Sequence, residues 1–187
     1  MDMKKLVFAT LFVVSAGAAL AQGNINKGDL MVGGNASFST QKEGDYKTSS
    51  FGLAPNAGYF FINNLAGGLR VAFNSHNTDF GTVESSSSEF SLAPFVRYYF
   101  LPSSQKVNLF ADASFGFGQY RSESGSVESK TNFTELGIMA GPAIFLTPNT
   151  ALEFALGFTS SKFKDVEDRE SVFGINVGFQ IHLAGKK

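Results

Sequence analysis

Apolar residues alternate with small or polar residues through eight segments of the chain. In one segment, Phe90 and Leu92 alternate with Glu89, Ser91 and Ala93. A period of two is typical of β-strands whose two faces meet different surroundings. The predicted strands span residues 30–41, 49–60, 65–74, 88–100, 107–120, 132–146, 151–160 and 172–183. Each is long enough for the roughly 9–11 residues that cross a bilayer at a tilt.

The residues between the apolar positions indicate which solvent each face meets. They are mostly Gly, Ser, Ala and Asn, and no lysine falls within the predicted strands. Because a sheet face in water normally carries lysines, we expect the small polar face to be enclosed and the apolar face to meet lipid. The pattern predicts an all-β fold, an eight-stranded antiparallel up-and-down transmembrane β-barrel. The alternative is a soluble exported barrel or sandwich whose apolar face is a core that binds an apolar ligand.

The connections between the predicted strands alternate in length. Residues 61–64, 101–106 and 147–150 form short connections, and residues 42–48, 75–87, 121–131 and 161–171 form longer, polar ones. Outer-membrane barrels have short periplasmic turns and longer external loops. The chain is therefore predicted to lie in a Gram-negative outer membrane, with both termini periplasmic because the number of strands is even.

Aromatic residues concentrate near both ends of the strands. Those near the short connections are Tyr59, Phe60, Tyr98, Tyr99, Phe100 and Phe145, and those near the long ones are Phe38, Phe51, Phe73, Phe90, Phe117, Phe158 and Phe173. Two such bands are typical of the girdles that flank the apolar wall of a membrane barrel. The alternative is that the phenylalanines fill the core of a sandwich.

Three prolines lie at matched depth in the second, fourth and sixth predicted strands. Pro55 and Pro94 belong to a repeat in which residues 51–61 match residues 90–100, and Pro142 lies in a weaker echo of it. Proline removes a hydrogen-bond donor from the ladder, so it is normally confined to edges or bulges. We therefore expect a repeated bulge or bend in the wall.

The first residues read as a secretory signal peptide. Lys4 and Lys5 precede an apolar run over residues 6–20, and Ala19 and Ala21 supply the small residues of a cleavage site before Gln22. The predicted organisation is a signal peptide over residues 1–21, a short periplasmic segment over 22–29, a barrel over 30–183 and a periplasmic tail over 184–187.

Composition removes several classes of function. The chain has no cysteine, which excludes disulfides, thiolate catalysis and Cys-based zinc sites. Its formal net charge of −1 gives no electrostatic reason to expect nucleic acid as a partner.

Three stretches resemble a known family. They are residues 53–60 (Leu-Ala-Pro-Asn-Ala-Gly-Tyr-Phe), 63–69 (Asn-Asn-Leu-Ala-Gly-Gly-Leu) and 93–100 (Ala-Pro-Phe-Val-Arg-Tyr-Tyr-Phe). They are similar to the small outer-membrane β-barrel domain family of Gram-negative bacteria, with barrels of the OmpA and OmpX type. The resemblance implies an environment of outer-membrane lipid, insertion by the barrel-assembly machinery and no single shared activity. Such barrels often end on an aromatic residue, whereas this chain ends its last predicted strand with residues 179–183 (Phe-Gln-Ile-His-Leu) and then adds residues 184–187.

The inward face holds the candidate site. Arg70, Arg97, Asp112 and Glu153 are predicted to form a charged cluster inside the barrel, and Glu89 and Glu135 to lie near the external rim. Buried charges must pair to be tolerated, and side chains can fill an eight-stranded barrel, so the main interpretation is structural. The alternative is a narrow path for ions or protons, or a gate.

The sequence gives little support for an enzymatic function. The chain has two histidines, His76 and His182, and a lipid-modifying hydrolase would need a His, a Ser and an acid together on the lipid-facing wall. Ser75 neighbours His76, so the two should point to opposite faces. We therefore expect no catalytic, metal or cofactor site. A partner outside the cell, bound through the polar loops, is the remaining expectation.

Overall fold

A closed eight-stranded barrel forms the whole described part of the chain. The computed structural model describes residues 25–43, 46–79, 84–124 and 127–185. Its strands are β1 (Leu30–Glu43), β2 (Tyr46–Ile62), β3 (Leu65–Asp79), β4 (Glu84–Tyr99), β5 (Val107–Ser124), β6 (Val127–Thr147), β7 (Thr150–Phe163) and β8 (Glu170–Leu183). Each strand pairs antiparallel with the next, and β8 pairs with β1 to close the barrel. The predicted fold class is confirmed. Within the described ranges, no helix is long and apolar enough to cross a membrane.

The two ends of the barrel differ. At the short-turn end, which holds the connections β2–β3, β4–β5 and β6–β7, the two described ends of the chain also meet: the Gly185 N–H donates to Asp29 Oδ1 over 2.9 Å. The opposite hairpin end carries the connections β1–β2, β3–β4, β5–β6 and β7–β8. The predicted signal peptide, residues 1–21, lies outside the described residues, as do residues 22–24 of the segment over 22–29.

The outer wall is apolar from one end of the bilayer-crossing region to the other. Val96 on β4, Ile138 on β6 and Leu156 on β7 each expose more than half of their surface. The positions between them carry Gly, Ala, Ser and Asn and point inward. This arrangement places hydrocarbon-compatible side chains outside and the enclosed polar face inside.

The strands run further toward the hairpin end than the sequence predicts. The expectation that every lysine lies outside the strands is wrong, because Lys42, Lys47, Lys130 and Lys162 all fall within them. The residues predicted as long loops instead extend the ladders, for example to Ser124↔Val127. The alternation disappears there because both faces of a hairpin beyond the bilayer meet water. The strands remain paired there because the ladder is made of backbone hydrogen bonds and does not depend on alternating side chains.

The three prolines interrupt the ladder without shifting it, so the predicted bulges are not present. The register between β2 and β3 is the same on both sides of Pro55, from Leu53↔Phe73 to Asn56↔Arg70. Pro94 and Pro142 leave the same gap toward β5 and β7. Proline has no N–H to donate, so each of the three loses its ladder pairing with one neighbouring strand. The register on either side of that gap is unchanged. Register shifts occur elsewhere, between Phe60 and Ile62 and between Phe145 and Thr147.

The seam between β1 and β8 is paired over only part of its length. The ladder runs from Leu30↔Leu183 to Asn35↔Gly178 and stops there, although both strands continue toward the hairpin end. Gly34 has φ of +149° just below this point. That conformation is open to glycine and strained for other residues. β1 therefore leaves β8 at a glycine that permits the bend.

Candidate functional site

A buried arginine organises the middle of the barrel interior. Arg97 on β4 is 1% exposed. Its Nε donates to Asp112 Oδ2 over 3.1 Å, and its Nη1 donates to the two carboxylate oxygens of Glu153 over 2.8 and 2.9 Å. Asp112 is the direct neighbour of Arg97 across the β4–β5 ladder, whereas Glu153 reaches it from β7 across the lumen. One guanidinium thus ties two distant parts of the wall together.

A second arginine completes the predicted cluster. Arg70 Nη2 donates to Asp112 Oδ1 and Oδ2 over 3.1 and 3.0 Å. Its guanidinium also lies 5.0 Å from the ring centroid of Phe95, a cation–π distance. The structure therefore brings together all four residues that the sequence predicts for this cluster. Two positive and two negative side chains balance, which is the condition for burying charge.

Tyr99 belongs to the same network, although the sequence predicts it in an outer aromatic band. Its hydroxyl donates to Glu153 Oε1 over 3.1 Å, and Arg97 Nη1 lies 3.5 Å from the same hydroxyl. Phe110 supports the network from β5, with the Arg97 guanidinium 4.5 Å from its ring centroid. The signal was available, because Tyr99 shares the odd-numbered positions of β4 with Arg97 and so must point inward.

An aromatic plug fills the short-turn end beneath the cluster. It consists of Met31, Phe60, Tyr99, Phe110, Phe145 and His182, each no more than 1% exposed. The His182 ring lies 5.2 to 5.9 Å from the rings of Phe145, Tyr99 and Phe60. The prediction that Phe60, Tyr99 and Phe145 form an outer girdle is therefore wrong. Tyr59, Tyr98 and Phe100 do face outward at this level, since inward and outward positions alternate.

The segment before β1 closes the barrel from below. Ile25 is fully buried against the plug. The Asn64 N–H donates to the Ile25 carbonyl over 2.8 Å, and the Gly28 N–H donates to the Phe60 carbonyl over 2.9 Å. Residues 25–29 thus fold across the short-turn end, where the sequence predicted only a segment outside the barrel.

Above the cluster the interior is an open cavity of about 550 Å³. Glu89 and Glu135 line it toward the hairpin end, and Arg70 and Arg97 line its floor. Among the described residues neither glutamate forms an ion pair, and Glu135 Oε2 accepts a hydrogen bond from Ser161 Oγ over 3.5 Å. With the lower cluster neutral, these two carboxylates leave the cavity with an excess of negative charge.

Amide side chains line the cavity near the β1–β8 seam. Asn35 Nδ2 donates to Asn176 Oδ1 over 3.2 Å, across the point where the two strands part. Lower down, Gln180 Nε2 donates to Asn56 Oδ1 over 3.2 Å. Gln180 Oε1 is buried and accepts no hydrogen bond from the part of the chain that the structure describes. The wall beside the seam therefore carries hydrogen-bonding capacity that the protein itself does not fully use.

A Ser–His contact lies at the mouth of the barrel. His76 Nδ1 is 2.8 Å from Ser50 Oγ, its neighbour across the β2–β3 ladder. Ser75 precedes His76 in the sequence, but the serine in contact is Ser50, which is close to His76 only through strand pairing. The contact joins a histidine to a serine, whereas a catalytic triad also requires a carboxylate that orients the imidazole. Within the described residues, no group of three acidic or histidine side chains is arranged to hold a metal ion.

Exposed charges stabilise the long β5–β6 hairpin. Arg121 contacts Glu123 over 2.6 Å and Glu128 over 3.1 Å, and Lys130 contacts Glu128 over 2.8 Å. The hydrogen bond from Lys130 is the main reason that the pKa of the Glu128 carboxyl lies below its usual value. These pairs are in water and screened by salt, so they contribute little compared with the buried cluster.

Comparison with known proteins agrees with this architecture. Among solved structures, the chain resembles Neisserial surface protein A, with 18% identity, a TM-score of 0.52, and coverage of 82% of this chain and 94% of that one. OprG from Pseudomonas aeruginosa gives 13% identity and a TM-score of 0.48 over 88% of this chain and 99% of that one. Ail, the attachment invasion locus protein of Yersinia pestis, gives 18% identity and a TM-score of 0.48 over 84% and 99%.

Sequence comparison identifies the family. No curated protein sequence matches the chain. The profile of the outer membrane protein beta-barrel domain matches residues 6–180, which is most of the chain. The match covers all of β1 to β7 and most of β8, including every residue of the buried cluster. The chain belongs to the outer membrane protein beta-barrel domain family.

Proposed function

We propose that this protein is a sealed barrel of the outer membrane with a structural or surface-interaction role, and that it forms no continuous pore. The observation that carries this proposal is the contact of Arg97 with Glu153 and Tyr99 across the lumen, at distances of 2.8 to 3.5 Å. The aromatic plug beneath it closes the lumen a second time, nearer the short-turn end. The cavity above is therefore blind.

The orientation follows from the two ends. The short-turn end and both termini face the periplasm, and the hairpins face outward, because outer-membrane barrels keep their short turns inside. In this scheme residues 1–21 are removed as a signal peptide, the barrel-assembly machinery inserts the mature chain, and residues 184–187 stay periplasmic as a tail.

The hairpins supply the surface for a partner outside the cell. β5 has 18 residues and β6 has 21, whereas roughly 9–11 residues suffice to cross a bilayer. The excess projects beyond the membrane as a ribbon whose backbone is paired as far as Ser124↔Val127. A projecting ribbon of fixed shape supports a role in surface contact.

The other functions fit less well. A narrow ion path would have to cross the Arg97–Glu153 pair and then the aromatic plug. Catalysis fits less well, since the contact between Ser50 and His76 supplies only two of the three members of a catalytic triad. A soluble barrel that binds an apolar ligand is not favoured, because the family is one of outer-membrane proteins.

Planar-bilayer recording tests the proposal. Refolded protein whose unboiled gel band runs faster than the boiled one should give no steady unitary current. The triple variant Phe60→Ala/Phe145→Ala/Glu153→Ala removes two rings of the plug together with the Arg97–Glu153 contact across the lumen, and it should admit small-ion currents. The matched control is Phe51→Ala/Phe90→Ala, which removes two rings from the outer wall and should stay silent. A steady unitary conductance in the wild-type protein would overturn the proposal of a sealed barrel.

A further inference from the structure

We propose that the unpaired part of the β1–β8 seam is a lateral opening through which a single-chain, zwitterionic phospholipid places its headgroup in the interior cavity. The ladder between these strands ends at Asn35↔Gly178. Beyond it, β1 continues to Glu43 and β8 begins at Glu170, so two strand edges face each other without pairing. This inference goes beyond the sealed-barrel role, which concerns only the short-turn end.

The unpaired edges begin at a depth where they need partners. Roughly ten residues of each strand cross the bilayer, and the pairing stops after the sixth residue of β1. An unpaired backbone N–H or C=O in hydrocarbon costs several kcal/mol, so membrane barrels are normally closed. An acyl chain offers no hydrogen bond. A polar headgroup, together with water from the cavity, does.

The cavity reaches this seam. Its wall includes runs of five adjacent residues along β1 (34–38) and four along β8 (175–178). Elsewhere the runs are no longer than three residues, at 52–54 on β2 and 137–139 on β6, and the remaining strands contribute alternate, inward-pointing positions. Adjacent residues are both exposed to the cavity where a strand edge, and not only one face, borders the space. The polar interior and the outer wall therefore communicate between β1 and β8.

The charges around the cavity match a headgroup with both signs. The Arg70 side chain bonds to Asp112 but remains 13% exposed, and it lines the cavity. Its guanidinium can therefore also bind a phosphate. Glu89 and Glu135 line the same cavity and suit an ammonium group. Asn35 and Asn176 stand at the opening and can bond the ester region.

The outer side of the opening suits one acyl chain. Phe38 on β1 is 75% exposed and Ile175 on β8 is 77% exposed, more than any other large apolar residue among those described. Side chains on paired strands are partly covered by the next strand, and these two lack that cover. A chain leaving the cavity would lie between them and continue into the bilayer.

The chain has no cysteine, so the seam can be locked by a single engineered pair. Continuing the register beyond Asn35↔Gly178 sets Ala36 opposite Val177. Ala36→Cys/Val177→Cys closes the opening when oxidised. The matched control is Val32→Cys/Ile181→Cys, which joins two residues already paired below the opening. Where the upper pair does not oxidise, a short bismaleimide joins it, and a fast unboiled gel band shows that each form is folded.

Native mass spectrometry from detergent then measures retained lysophosphatidylethanolamine. We expect wild type, both reduced cysteine pairs and the oxidised control pair to retain this lipid. The locked Ala36→Cys/Val177→Cys form should retain at least tenfold less of it. Arg70→Met should lower retention while the lock remains absent. Three results would each overturn the lateral opening. They are equal retention of the lipid by the locked and unlocked forms, no retention by folded wild type, and binding of free phosphoethanolamine to the locked form as strong as to the unlocked form. A barrel that stays silent in bilayers through all of these outcomes would leave the sealed-barrel proposal intact.

Discussion

The two halves of the barrel interior satisfy their polar groups in different ways. In the half toward the short-turn end, Arg97 and Glu153 are almost completely buried, and every charge bonds to another side chain. In the half toward the hairpin end, Glu89 and Glu135 face a cavity and have no ion-pair partner among the described residues. The half toward the short-turn end is therefore held together by contacts within the protein. In the half toward the hairpin end, polar groups remain available to hydrogen-bond water or a ligand.

The largest expected effect comes from removing the centre of the lower network. Arg97→Ala leaves Glu153 buried without its cationic partner and Asp112 with Arg70 alone, which should lower the free energy of unfolding by about 3–5 kcal/mol. Urea unfolding in micelles, followed by circular dichroism, measures this change. Glu135→Gln in the upper half is the control and should leave the unfolding midpoint unchanged. Equal effects of both variants would remove the distinction between the two halves.

A smaller effect isolates one hydrogen bond of the network. Tyr99→Phe keeps the ring in the plug and removes the hydroxyl that donates to Glu153. Because the acceptor is a buried carboxylate, the expected loss in unfolding free energy is about 1.5–3 kcal/mol. The same urea titration measures it, with Tyr98→Phe on the outer wall as the matched control. If the two variants unfold at the same urea concentration, Tyr99 contributes packing alone.

The smallest effect compares packing in the two halves through two inward glycines. A Cβ at Gly68 would lie 2.1 Å from the Ala57 carbonyl oxygen, whereas a Cβ at Gly174 would meet nothing within 4 Å. Gly68→Ala should therefore destabilise by about 1–3 kcal/mol through overpacking. Gly174→Ala should be neutral or stabilise by up to about 1 kcal/mol, because it restricts the unfolded chain. Thermal gel-shift midpoints of the two variants test this, and the opposite order would contradict the packing difference.

The members of the charged cluster could be predicted from the sequence, but their arrangement could not. Arg70, Arg97, Asp112 and Glu153 occupy inward positions, and burial requires that such charges meet. That Glu153 bonds Arg97 from the far side of the lumen depends on the diameter of the closed barrel. Ser50 and His76 became neighbours only through the register of β2 with β3. Tyr99 is the exception, since its parity alone assigns it to the interior.

The sequence by itself determined which side chains face lipid and which face the interior, because a period of two is a local property of each strand. It also determined the number of strands and their antiparallel order. Only the tertiary structure decided that residues 25–29 close one end, that Phe60, Tyr99 and Phe145 pack into one plug, and that β1 leaves β8 beyond Asn35. Each of these depends on distances across the closed barrel, and those distances are fixed by the register of all eight strands together.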